Sequence, residues 1–256
     1  MKDKILPVLL LLSLAALTLS STGDALAARE LIVSAASSLT NAFGEIGKQF
    51  EEAHPGTKVT LNFGASGALL QQIDKGAPVD VFASADQKTM DQAREKSLIL
   101  PDTRRNFVKN KLVLIMPGDA RLPVKTLKDL TLKEVARISL GNPESAPVGR
   151  YAKEVLTNEG LWEVLEPKLI RGDSVRQVLD YVSRREVDAG FVFATDAAVA
   201  ADRVKVVFTA ETHEPILYPI AVVGTTQQKE AAQLFMDFVS SDRGQDILSR
   251  YGFERP

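Results

Sequence analysis

Four short stretches carry residue types suited to holding an anion: Ala36-Ser37-Ser38, Gly64-Ala65-Ser66-Gly67, Pro147-Val148-Gly149 and Asp173-Ser174-Val175. Each opens a segment whose apolar residues recur at helical spacing, so each reads as a strand-to-helix junction. The first N–H groups of a helix lack partners inside it and carry the positive end of its dipole. Such a junction can therefore hold negative charge without a basic side chain. Glycine beside serine adds to this, because it lets the backbone approach a ligand closely. The competing reading is plain capping, in which the serine hydroxyl accepts from an amide of its own first turn.

Catalytic chemistry finds less support. Gly64-Ala65-Ser66-Gly67-Ala68 approaches the nucleophile elbow of serine hydrolases but has Ala68 where that motif needs its last glycine. His54 lies in a Pro-Gly turn and His213 in a polar loop, so neither reads as a base for Ser66. A Gly-Lys-Ser or Gly-Lys-Thr phosphate loop is missing from the sequence. Asp80 reads as a structural partner and Asp86 as a helix cap. Arg150 and Arg176 each follow a junction by one residue and are expected to face solvent or to stand behind the neutral donors, not to touch the anion. With no cysteine and two histidines, thiolate nucleophiles, disulfides and Cys- or His-based metal sites are excluded, and no cofactor is expected.

Alternating strands and helices must position these junctions. Leu31–Ala36, Val59–Phe63 and Val79–Ala83 read as buried strands, with helices from Ser38, from Ala68 and after Asp86. The same grammar returns in a second half. Strands are expected at Leu112–Met116, Ile138–Leu140, Leu169–Arg171, Ala189–Val192, Val204–Phe208 and Ile216–Val223, with helices at Tyr151–Thr157, Val175–Val182 and Ala194–Ala200. From Gln227 the chain reads as helical to its end. Two α/β halves without a flexible tether predict two lobes with a cleft between them, and in open α/β sheets ligands bind at the carboxyl ends of strands.

The 256 residues carry a net charge of -2, with 45% hydrophobic and 25% charged residues, which excludes disorder and gives no basic field for nucleic acid. Lys2 and Lys4, the apolar run Ile5–Leu19 and Ala25-Leu26-Ala27 read as a secretory signal cleaved after Ala27. The expected product is a free protein, since a lipid anchor at the cut would need a cysteine.

A further set of segments resembles the periplasmic molybdate-binding proteins of ABC importers: Ala35-Ala36-Ser37-Ser38-Leu39-Thr40-Asn41-Ala42, Gly76-Ala77-Pro78-Val79-Asp80-Val81-Phe82, Ser84-Ala85-Asp86-Gln87-Lys88, Pro147-Val148-Gly149-Arg150-Tyr151-Ala152-Lys153-Glu154 and Arg250-Tyr251-Gly252-Phe253. The resemblance implies an α/β two-lobe binding fold of the second structural type. Each lobe is then a doubly wound, mainly parallel sheet, and two hinge strands join them. It divides the chain into residues 1–27 as signal peptide, 28–108 plus 219–256 as lobe one, and 109–218 as lobe two. It places hydroxyl and backbone donors at Ser38 and Ser66 and backbone donors at Val148 and Val175. A tyrosine common in the family falls on Phe193, which cannot donate. The implied function is non-enzymatic: a monomeric periplasmic receptor captures molybdate or tungstate and hands it to a membrane permease. A receptor for sulfate or chromate, and a secreted serine hydrolase using Ser66, are the alternatives. Six neutral donors suit a fully deprotonated dianion, whereas hydrogen phosphate needs an acceptor.

Overall fold

The computed structural model describes residues 29–256. The expected signal peptide, residues 1–27, lies outside the described residues. The first half runs β1 (Arg29–Ala36), α1 (Thr40–Ala53), β2 (Thr57–Gly64), α2 (Ser66–Asp74), β3 (Val81–Ala83), α3 (Gln87–Glu95) and β4 (Arg105–Lys109). The second runs β5 (Leu112–Pro117), β6 (Ile138–Gly141), α4 (Pro147–Asn158), α5 (Trp162–Leu165), β7 (Leu169–Gly172), α6 (Val175–Ser183), β8 (Ala189–Phe193), α7 (Ala194–Val199) and β9 (Val204–Ala210). The chain then returns through β10 (Leu217–Val222) and ends in α8 (Lys229–Ser240) and α9 (Asp242–Arg250).

These elements build two five-stranded sheets, ordered β2-β1-β3-β10-β4 and β7-β6-β8-β5-β9. In the first, β1 pairs parallel with β2 and β3, while β10 runs antiparallel between β3 and β4. In the second, β6 pairs parallel with β7 and β8, while β5 runs antiparallel between β8 and β9. Each sheet is thus mainly parallel with one reversed strand inside it. Composition fits this layering: β5 and β8 are apolar and buried throughout, and β1 from Leu31 on is apolar but for Ser34, as strands covered on both faces must be.

Two crossings join the lobes, Asn110–Lys111 between β4 and β5, and residues 211–216 between β9 and β10. They are tied together where the Asn110 N–H donates to the Ile216 carbonyl at 3.1 Å. One cluster of buried apolar side chains continues through both lobes, from Leu31 and Phe43 through Tyr218 to Phe193 and Val178. Burial on this scale contributes roughly 25 cal/mol per Å² of apolar surface removed from water. Among the described residues, no helix is long and apolar enough to cross a membrane.

Two expectations need correction. The stretch Arg105–Lys109 is a strand that the sequence pattern leaves unmarked, because only Phe107 and Val108 of its five residues are buried. The C-terminal segment is not one helix. It breaks at Ser241, whose Oγ accepts from the Gly244 N–H at 3.2 Å to start α9, and after Arg250 the chain leaves the helix to bridge Glu254 to Lys109.

Candidate anion-binding site

Parallel pairing of β1 with β2 and of β6 with β7 puts their carboxyl ends at the mouth between the lobes, so the helices that follow aim their N-termini at one point. There they line a chamber with about 200 Å³ of atom-free space, counted out to its opening to solvent. Ala36 ends β1 and Ser37 and Ser38 follow in the 3-10 turn that leads into α1, while Gly64 ends β2 and Ala65 and Ser66 open α2. The other lobe contributes Ala146, Pro147 and Val148 at the start of α4, Val175 at the start of α6, and Phe193 at the end of β8. Ser38, Ser66, Val148, Val175 and Phe193, expected from the sequence, therefore line one chamber. Among the described residues, no charged side chain lines it.

The capping alternative separates the serines. Ser174 does cap α6, accepting from the Gln177 N–H at 3.3 Å. Ser38 and Ser66 do not cap: Ser38 lies inside the 3-10 turn and Ser66 is the first residue of α2, whose N-cap is Ala65 with no side-chain bond. Helices α2 and α4 thus present uncapped first turns to the chamber. Proline at the start of α4 suits that position, because its missing N–H would have been unpaired there.

Both serines are tied from behind. The Ser66 Oγ, fully buried, accepts from the Ala85 N–H at 3.0 Å. The Ser38 Oγ lies 2.9 Å from the Tyr218 hydroxyl, also fully buried. Tyr218 and Asn110, which holds it, escaped the sequence reading, since one sits in a strand and the other in a short crossing. Burial holds the Tyr218 phenol well above its ordinary pKa, so it stays protonated.

The arginines that follow the junctions are each committed to a carboxylate. Arg150 donates from Nε to Asp86 at 2.8 Å, and from Nη2 to the Thr89 hydroxyl at 2.7 Å. This joins α4 of one lobe to the N-cap of α3 in the other. Arg176 Nε comes within 2.6 Å of Asp196 Oδ1 without an aligned hydrogen bond. Asp196 is completely buried, and desolvation pushes its carboxyl up to about 6 against the pull of Arg176. Neither arginine lines the chamber. Asp86 also caps α3 by accepting from the Thr89 N–H, as expected. Asp80 accepts from the Ile32 N–H at 2.7 Å, which is a structural role.

The lobes meet over the chamber. The Gly67 N–H donates to the Ser145 carbonyl at 2.9 Å, and a Cβ at Gly67 would lie 2.6 Å from that oxygen, so only glycine allows this approach. A wider groove, about 1360 Å³ on the same measure, opens between α3 and α4. Its lining holds more carboxylates, at Asp86, Asp91, Glu95, Glu154 and Glu214, than cations, at Lys88 and Arg150, a balance unfavourable to an anion. Both histidines are engaged away from Ser66: His54 Nδ1 pairs with the Phe50 carbonyl, and His213 with the carbonyls of Ala210 and Glu214.

Two α/β lobes, two crossings and a chamber of helix N-termini between them define a two-lobe binding fold. The chain belongs to the bacterial extracellular solute-binding protein family, which it matches over residues 31–254. It is 39% identical over 246 residues to the molybdate-binding protein ModA of Escherichia coli, covering 93% of this chain and 95% of that protein. Among solved structures, the substrate-binding domain of a putative molybdenum ABC transporter from Clostridium difficile is 41% identical, with a TM-score of 0.67 over 89% of this chain and 99% of the other. The periplasmic molybdate-binding protein of Azotobacter vinelandii is 26% identical, with a TM-score of 0.77 over 88% and 99%.

Proposed function

We propose that the protein captures molybdate, and tungstate by the same chemistry, in the chamber between its lobes and delivers it to an ABC permease from the periplasm. The observation that carries this reading is the convergence of helix N-termini from both lobes on a chamber without charged side chains. The named molybdate-binding relatives support it. Ser38 and Ser66 donate through hydroxyl and backbone N–H, Val148 and Val175 through backbone N–H, and Phe193 forms an apolar wall. The chamber admits one small ion and leaves no room for a larger organic solute. The proposed lobes are residues 28–108 with 219–256, and 109–218. Sheet membership supports this division to within two residues, since β4 ends at Lys109 and β10 begins at Leu217.

Selection against hydrogen phosphate follows from the shortage of acceptors, because its remaining proton would face donors only. Selection against sulfate depends on size: donors spaced for the larger ion cannot all reach the smaller one. Thermal-shift measurements with molybdate, tungstate, sulfate, chromate and phosphate test this. At a hundred times its dissociation constant a ligand adds about 2.7 kcal/mol to stability, a gain expected for molybdate and tungstate. A sulfate shift equal to that of molybdate would refute selection by size.

A further inference from the structure

We propose that Tyr218 is a positioning residue for anion binding: a relay from Asn110 through Tyr218 compels Ser38 to present its hydroxyl proton to the chamber. The direction of each bond follows from donor chemistry. Asn110 Oδ1 accepts from the Lys111 N–H at 2.9 Å, which fixes the orientation of the amide. Its Nδ2 then donates both hydrogens, one to the Thr195 hydroxyl at 2.9 Å and one to the Tyr218 hydroxyl oxygen at 3.2 Å. An amide nitrogen cannot accept. The phenol proton is therefore directed to its other bonded partner, the Ser38 Oγ at 2.9 Å. With that proton on its rear lone pair, Ser38 turns its own proton forward.

Ser66 is set in the same sense by the Ala85 N–H, so both hydroxyls face the chamber as donors. The relay also begins at the hinge. Asn110 lies in the first crossing and Thr195 in the second lobe, while Tyr218 lies just beyond the second crossing. The chain of bonds therefore ties the Ser38 hydroxyl to the hinge and, through Thr195, to the second lobe. Tyr218 supplies by relay part of what Phe193 lacks: its ring packs edge-on to Phe193 at 5.9 Å, and its hydroxyl acts on the ion through Ser38 and not directly.

This inference rests on the oxyanion reading, and a double-mutant cycle separates the two. Calorimetric titrations compare the parent, Tyr218→Phe, Ser38→Ala and the double variant against molybdate and against inorganic phosphate at pH 7. Tyr218→Phe keeps the ring packed against Phe107, Phe193 and Phe253. The relay predicts about tenfold weaker molybdate binding for Tyr218→Phe. The double variant should match Ser38→Ala within about twofold, because without Ser38 the phenol has nothing to orient. It also predicts that the preference for molybdate over phosphate narrows about tenfold in Tyr218→Phe, since a freed Ser38 can rotate and accept the phosphate proton. Phe253→Leu, which loosens the ring's packing and spares the hydroxyl, should leave that preference unchanged. Additive losses, or equal weakening for both anions, overturn the relay. A parent that ignores molybdate defeats the functional reading instead; the cycle is then judged on sulfate, and binding of neither overturns both.

Discussion

Replacing Gly67 by alanine tests whether binding requires the lobes to close to this distance. The new Cβ would stand 2.6 Å from the Ser145 carbonyl oxygen and 3.0 Å from the Ser145 Cα, both backbone atoms that cannot swing aside. Restoring ordinary contact at about 3.4 Å requires a separation of about 0.8 Å, and because the two residues belong to different lobes the cleft must widen. A donor ideally placed at about 2.9 Å from the anion then lies near 3.7 Å, beyond hydrogen-bond range. The N–H groups of Val148 and Val175 are the donors lost first. Each bond to a charged partner is worth about 1.5 to 3 kcal/mol, so losing most of both weakens molybdate binding by about a hundredfold or more. Stability of the ligand-free variant should hold or rise, because alanine in the first turn of α2 is a better helix residue than glycine by up to about 1 kcal/mol. Isothermal titration paired with urea unfolding separates these effects. Binding within about threefold of the parent would refute the requirement for close approach.

The serines and the wall make further tests. Ser38→Ala and Ser66→Ala each remove a donor to a buried charge and should weaken molybdate binding about ten- to a hundredfold by calorimetry, with the fold intact. Phe193→Tyr should tighten binding about threefold, as a new charge-assisted bond outweighs the crowding of an added hydroxyl. Unchanged binding in a folded variant would mean that Phe193 does not turn its ring edge to the ion. Asp196 predicts a pH dependence of stability. Its carboxyl is raised to about 6 by burial, so between pH 4 and pH 6 the folded state keeps a proton that the unfolded chain has released. The stability this confers is complete below about pH 4 and is lost as pH rises through 6, a change of up to about 3 kcal/mol. Urea midpoints of the parent should fall across that window relative to Asp196→Asn, and parallel profiles would refute the assignment.

The junctions were legible in the sequence because strand-to-helix turns have a local chemistry: serine, glycine or proline beside the first turn of an amphipathic segment. The role proposed for Val148 and Val175 is one of backbone position, so their side chains offer no signal; here the family pattern of the segment around Pro147 is needed. Tyr218 and Asn110 were out of reach for a different reason. They are 108 residues apart, and their meeting at the Ser38 hydroxyl depends on β10 returning to the first sheet beside β4. Periodicity reveals that such a strand exists and not which strands flank it. β4 is unreadable for a local reason, since two buried residues among polar neighbours make no alternation.

The placement of the charges explains why a receptor for a dianion can exclude lysine and arginine from its chamber. Arg150 and Arg176 lie close in sequence to Val148 and Val175, within one helical turn of the proposed donors, and an unpaired guanidinium there would draw any small anion. Each is instead committed to a carboxylate, Arg150 to Asp86 and Arg176 to Asp196. With charge neutralised behind the donors, the proposed chamber would attract through fixed backbone dipoles and two oriented hydroxyls, whose energy depends steeply on distance and angle. Size and protonation state then decide which anion is held. The Arg150 pair does more than cancel charge, because Asp86 and Arg150 sit on opposite lobes and their bond ties α4 to the N-cap of α3 across the cleft. The contact that holds the lobes together at this point and the pairing of the nearest cation are thus the same bond, and on the proposed reading it leaves the ion a neutral set of donors.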